Sequence, residues 1–186
     1  MIEISDFVPH APVEPETVDS YRGRVPDGVI ELWQRYGYGT FGQGFFRIID
    51  PRAYELGIGD VLGKVTGEAT AVPIMVTGLG DVITWEAPEG VTLIRYRLGD
   101  TKGLGYTFET WIKLVEWDGE EELSETYDWD LFPQAVEAHG APAFDESFVF
   151  VPLLSLGGEE RVENLRARKT IEAIRTMVEF QGVIEH

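Results

Sequence analysis

The 186-residue sequence predicts an α+β fold: a mainly antiparallel sheet of five or six strands, with packed helices and a long C-terminal helix. Three observations carry that prediction. Residues 71–98 contain three strand-like runs, AVPIMVT, DVITWE and VTLIRYRL, separated by glycine- and proline-bearing turns at Gly78–Gly80 and Pro88–Gly90. Such hairpin-length spacing is that of a meander. Apolar residues recur at helical spacing at Val29, Ile30, Trp33 and Tyr36, and again at Ala167, Ile171, Ile174 and Val178. Between them, Trp33–Tyr54 reads as a helix end, four glycines in eight residues (37–44), and then a strand.

Taken in order, residues 1–14 form an extended lead-in with prolines at 9 and 12, and Glu14–Tyr21 a short helix. Pro26 sits where a first helical turn tolerates proline, and Asp27 suits the positive end of the helix dipole. The following helix ends at Gly37, a natural residue for the left-handed closing position. Phe45–Ile49 is a buried strand, Pro51–Glu55 a helical turn, and residues 57–70 an exposed loop or boundary. In DVITWE, Val82, Thr84 and Glu86 face one side and Ile83 and Trp85 the other; in the next run Arg95 and Arg97 share a face. Phe108, Trp111, Ile112 and Val115 mark a helix, Trp129–His139 another, and Ser147–Val151 a last strand. A helix from about Arg161 to Phe180 closes the chain, with Arg168–Glu172 and Arg175–Glu179 paired along its outside.

Composition narrows the chemistry. The chain is long enough to bury about 70% of its unfolded surface without staples, and it has no cysteine, so disulfides, thiolate nucleophiles and Cys-ligated metals are excluded. The formal net charge is −18. Between Lys113 and Arg161 there is no basic residue and thirteen acids occur. That field repels nucleic acid and anionic lipid; it either keeps the protein soluble or complements a basic partner. The N-terminus shows neither a basic nor an apolar leader region, and the longest near-apolar run, Phe148–Leu156, has nine residues. The chain therefore reads as soluble and unexported.

The candidate motifs fail on context. Gly37–Gly42 spells G-x-G-x-x-G, but a dinucleotide fingerprint follows a strand and opens a helix, and here the order is reversed. Gly59–Lys64 has too few residues between its glycines for a P-loop, and Val65 stands where Ser or Thr must meet magnesium. His10, His139 and His186 lack ligand spacing. Asp128–Asp130 is followed by Leu131-Phe132-Pro133, without the glycine of a calcium loop. The acidic run offers carboxylate pairs, but solvated carboxylates lack the apolar surroundings that raise a pKa. No catalytic residue, cofactor or metal is expected, and the chain reads as a non-enzyme.

Two blocks carry a resemblance. Pro26-Asp27, Leu32-Trp33, Tyr36-Gly37-Tyr38-Gly39, Gly44-Phe45-Phe46, Asp50-Pro51 and Tyr54 resemble the GAD-like domain. Phe150–Gly158, followed by Glu163-Asn164-Leu165 and a helix, is similar to the C-terminal module that accompanies GAD-like domains in immunity proteins of bacterial type VI secretion systems. Within that block Leu154 and Ser155 depart from the small residue expected there. The resemblance implies residues 1–60 as a GAD-like module and 61–186 as an immunity-type module, together one unit. It also implies a cytoplasmic protein that neutralises a toxic effector, often a nuclease, by occluding it.

Nucleases hold phosphate with Lys and Arg, so an acidic decoy surface suits such a partner. The residues expected to bind it are Glu120, Glu121, Glu122, Glu125, Asp128 and Asp130. Two other readings stand beside this one: a small-molecule or enzymatic pocket built on the aromatic, glycine-rich turn at 36–46, and a structural adaptor.

Overall fold

Seven strands lie side by side in the order in which they occur in the chain. The computed structural model describes residues 2–186. In it β1 (Val8–Ala11), β2 (Tyr38–Phe41), β3 (Phe46–Ile48), β4 (Val72–Thr77), β5 (Val82–Glu86), β6 (Gly90–Arg95) and β7 (Asp100–Gly105) form one antiparallel meander. The chain is thus α+β, with a second, two-stranded sheet of β8 (Glu146–Phe150) and β9 (Leu165–Lys169).

Helices cover both faces of the large sheet. Against one pack α1 (Pro15–Tyr21), α2 (Asp27–Tyr36), α4 (Phe108–Trp117), α5 (Glu120–Tyr127) and α6 (Leu131–His139), through residues such as Tyr21, Trp33, Trp111, Tyr127 and Phe132. Against the other pack α3 (Pro51–Ile58) and α7 (Thr170–Gln181), through Tyr54, Ile58, Ile174 and Met177. Strand alternation follows: Ile83, Val91 and Leu93 join the first layer, Val82 and Ile94 the second. Because both faces are covered, β4, β5 and β6 carry few polar residues. Glu86, on the second face, is buried; it accepts from Thr84 Oγ1 at 2.7 Å, and Lys64 Nζ and His186 Nε2 lie 3.2 and 2.9 Å from it.

The central meander and the first three helices lie where the sequence places them. Of the stretch 57–70 expected as an exposed loop, however, only 65–70 is exposed throughout: α3 runs on to Ile58, a 3-10 turn follows at Gly59–Val61, and Ile58, Val61 and Leu62 are buried. Five other elements differ, one of them α5, a helix in the acidic segment where the sequence marks none. Residues 8–11 pair with β2 and are a strand, not only a lead-in. The glycine-rich stretch is itself strand β2 plus a hairpin turn in which Gly42, Gln43 and Gly44 all have positive φ. Gly39 permits this: a Cβ there would meet Val8 O at 2.5 Å, so a side chain would push β1 off the sheet. Residues 100–105 form β7, whose sparse side chains give no alternating signal. The last helix begins at Thr170, because Leu165–Lys169 pairs along β8 with Leu165 buried opposite Phe150. Tertiary pairing overrides the helical propensity of LRARK. The buried stripe of α7 is accordingly Thr170, Ala173, Ile174 and Met177, and Arg175 pairs with Asp60 at 2.7 Å rather than with Glu179.

The β8–β9 hairpin is fastened to the meander through its backbone. Phe148 N donates to Gly78 O at 2.8 Å, and buried Arg47 donates from Nη1 to Ala143 O and Phe144 O at 3.1 and 3.2 Å. Burial without a carboxylate partner pulls the Arg47 guanidinium down to about 10.

Candidate partner-binding surface

The acidic run folds into a helix that is held from below and left bare above. Thr107 caps α4 by accepting from Thr110 N, and Phe108, Trp111, Ile112 and Val115 turn its inner face to the core. Trp111 Nε1 then donates to Tyr127 OH at 3.0 Å, tying α4 to α5. Only Leu123 and Tyr127 of α5 are buried. Glu122 reaches back to accept from Gly119 N at 3.1 Å, and Ser124 Oγ donates to Glu120 O. Asp128 closes the helix in the left-handed conformation, φ 56°, its N–H bonded to Ser124 O.

Of the six acids singled out in the sequence, five share one condition. Glu120, Glu121, Glu122, Glu125 and Asp130 are exposed, and none of them joins an ion pair among the described residues. Asp128 is different. Its Oδ2 lies 2.5 Å from Arg97 Nη2, and the same guanidinium sits 3.1 Å from Asp81 and 3.6 Å from Glu160. Asp128 is therefore an internal ligand that anchors the end of α5. Burial lifts the Asp81 carboxyl to about 6 against the pull of Arg97, and the surrounding carboxylates hold Arg97 firmly protonated. Nearer the surface, partial burial and the neighbouring Glu122 charge raise the Asp118 pKa.

Helix electrostatics explain part of this composition. Acids at 120–122 occupy the first turn, where the dipole favours them. Glu125 lies toward the other end, where the dipole disfavours a negative charge and where α5 has no basic residue. Stability alone does not account for it.

Beside the acids stands a feature that the sequence reading passed over. Trp117 is 87% exposed, Tyr106 84% and Leu114 48%. Leu114 and Trp117 are three residues apart and off the Phe108–Trp111–Ile112–Val115 stripe, so helical spacing alone places them outward. The aromatic turn is the opposite case. Phe41, Phe45 and Phe46 are fully buried and pack against Phe132 and Tyr127, which makes them core. Its first residues, Tyr36 and Gly37, line an open cleft of about 380 Å³ with Trp33 and Pro12.

The histidines lie apart from one another: His10 stacks on Phe144, His139 contacts Val162 O, and His186 meets Glu86. Among the described residues no group of three or more His, Asp or Glu is placed to hold a metal ion, and no helix is long and apolar enough to cross a membrane.

Residues 3–96, which carry the glycine-rich hairpin and most of the meander, match the model of the GAD-like domain. The chain belongs to the GAD-like domain family. Beyond this GAD-like segment, residues 112–179 match the model described as T6SS immunity protein Tdi1, C-terminal, so all of α5 and α6 and most of α7 fall within it. That match supports a role as an immunity protein, and an immunity protein implies a protein toxin as partner. In fold the chain is similar to the crystal structure of Atu4351 from Agrobacterium tumefaciens, with TM-score 0.71 over 93% of this chain and 85% of that one, at 17% identity. No curated protein matches the sequence.

Proposed function

We propose that this GAD-like protein is a non-enzymatic, cytoplasmic immunity protein that occludes a cognate type VI toxin through the acidic outer face of α5. The observation that carries this reading is the set of exposed carboxylates without ion-pair partners at Glu120, Glu121, Glu122, Glu125 and Asp130, inside the segment matching an immunity-protein model. Unpaired like charges crowded on one short helix and just beyond its end raise the energy of the free protein and are relieved when a cationic surface meets them. A nuclease presents such a surface, because it must hold phosphate. Asp128 contributes by keeping α5 in place, through Arg97.

The test takes as partner the toxin domain that an adjacent open reading frame is expected to encode. In the full chain, Glu120, Glu121, Glu125 and Asp130 are changed together to Lys. The dissociation constant should rise by about 100-fold or more at low salt, and the steep salt dependence of association should flatten, while the melting temperature stays close to that of the native protein. Unchanged affinity removes α5 from the interface. Failure of the native protein to bind or inhibit that toxin overturns the immunity reading.

A further inference from the structure

The outer side of α4 shows what would hold a partner once charge has drawn it in. Its inner face is complete without Trp117, since Phe108, Trp111, Ile112 and Val115 already fill the core side. Trp117 nevertheless stands 87% in water, with Leu114 one turn before it at 48% and Tyr106 at the base of the helix at 84%. Thr110 and Lys113 are exposed on the same side. Tryptophan carries the largest apolar area of any side chain, and leaving it solvated forgoes the stabilisation that burial brings. Trp117 is also only three residues ahead of Glu120, so the apolar stripe ends where the acidic helix begins.

Resting on the immunity reading above, we propose that Trp117, flanked by Leu114 and Tyr106, is the apolar anchor of the toxin interface, with the α5 carboxylates as its charged rim. A buried aromatic anchor surrounded by polar residues is the arrangement in which a few side chains carry most of an interface's affinity. Charge decides the occupant. Lys113 shares that side of α4 and Lys102 Nζ lies 3.5 Å from Thr126 Oγ1 of α5, but from Glu116 to Glu160 the chain has acids and no Lys or Arg, so the net field there fits a Lys- and Arg-rich protein face. A second copy of this chain would bring acids against acids across a two-fold axis, and nucleic acid or an anionic membrane would be repelled. The division of labour is a kinetic one: rim charges govern the association rate, and the anchor governs the dissociation rate.

The experiment measures association and dissociation rates of the full chain with the same toxin domain, at several salt concentrations, for the native protein, Trp117→Ala, Trp117→Phe and the four-residue Lys variant. Trp117→Ala should speed dissociation roughly 30-fold, with the association rate and its salt slope within about twofold of native, and Trp117→Phe should fall between. The Lys variant should show the reverse pattern. Because Trp117 is so exposed, both tryptophan variants should keep the native melting temperature. Native-like dissociation of Trp117→Ala overturns the anchor; if the Lys variant is still weakened, the immunity reading stands without it. If the native protein does not bind the toxin, both fall. If sedimentation shows a dimer of the native chain that Trp117→Ala dissociates, the face is a self-interface and the proposal is overturned.

Discussion

Arg97 and Asp81 form a buried ion pair, Nη2 to Oδ2 at 3.1 Å, with both side chains all but excluded from solvent. The guanidinium also holds Asp128 at 2.5 Å, so one residue of the β6–β7 turn fixes both the β4–β5 turn and the end of α5. The acidic helix is thereby seated on the meander by electrostatics as well as by Leu123 and Tyr127.

Removing one partner from such a pair costs far more than the pair itself contributes. Arg97→Met leaves the Asp81 carboxylate buried and uncompensated, and should lower unfolding stability by about 3–5 kcal/mol. Adding Asp81→Asn removes the orphaned charge and should recover much of that loss. Urea denaturation of the single and double variants checks both statements. Recovery in the double variant separates an electrostatic cause from the lost packing of the arginine stem.

The same carboxyl makes stability depend on pH in an uncommon direction. Burial lifts the Asp81 pKa from 3.8 to about 6. An acid whose native pKa lies above its unfolded value binds its proton more tightly when folded, so protonation favours the native state. The Asp81 contribution is complete below about pH 4 and is lost as pH rises through about 6. Native stability relative to Asp81→Asn should therefore increase as pH falls from 7.5 to 4, by on the order of 3 kcal/mol across the whole window. Paired denaturation curves at 0.5-unit intervals read this directly, and the comparison cancels the general relief of self-repulsion in a chain of net charge −18.

A 3.6-residue apolar period made α2 and α4 legible, and short apolar runs cut by glycine and proline turns made the central meander so. It failed where backbone pairing, not side-chain pattern, decides structure. β2 is YGTF and β7 is DTKGLG, both glycine-bearing, and each is fixed by its neighbours across the sheet. Leu165–Lys169 misled in the other direction: its residues favour a helix, yet five registered pairs with β8 hold it extended. At the surface, the acids of α5 were legible as a charge run, since nothing in their own sequence neutralises them. That Asp128 pairs with Arg97 was not, because the two are thirty-one residues apart in sequence. Trp117 was legible in principle from its offset against the α4 core stripe; what spacing does not show is that no other element folds over it.

Glu125 separates the structural and functional accounts of the acidic helix. If the acids existed only to cap α5, Glu125 would be out of place, since it lies toward the negative end of the dipole with no cation in the last turn. Glu125→Lys should therefore stabilise the free protein, raising its melting temperature by about 1–3 °C. The same change should weaken toxin binding by roughly 5- to 10-fold at low salt, and by less as salt rises. A residue that lowers native stability and raises affinity is the signature of a surface shaped by its partner. Differential scanning calorimetry of the free chain, set beside titration with the toxin domain, yields both numbers from one variant. A gain in stability with no loss of affinity would place Glu125 outside the interface, and a loss of stability would mean that the dipole argument does not describe this helix.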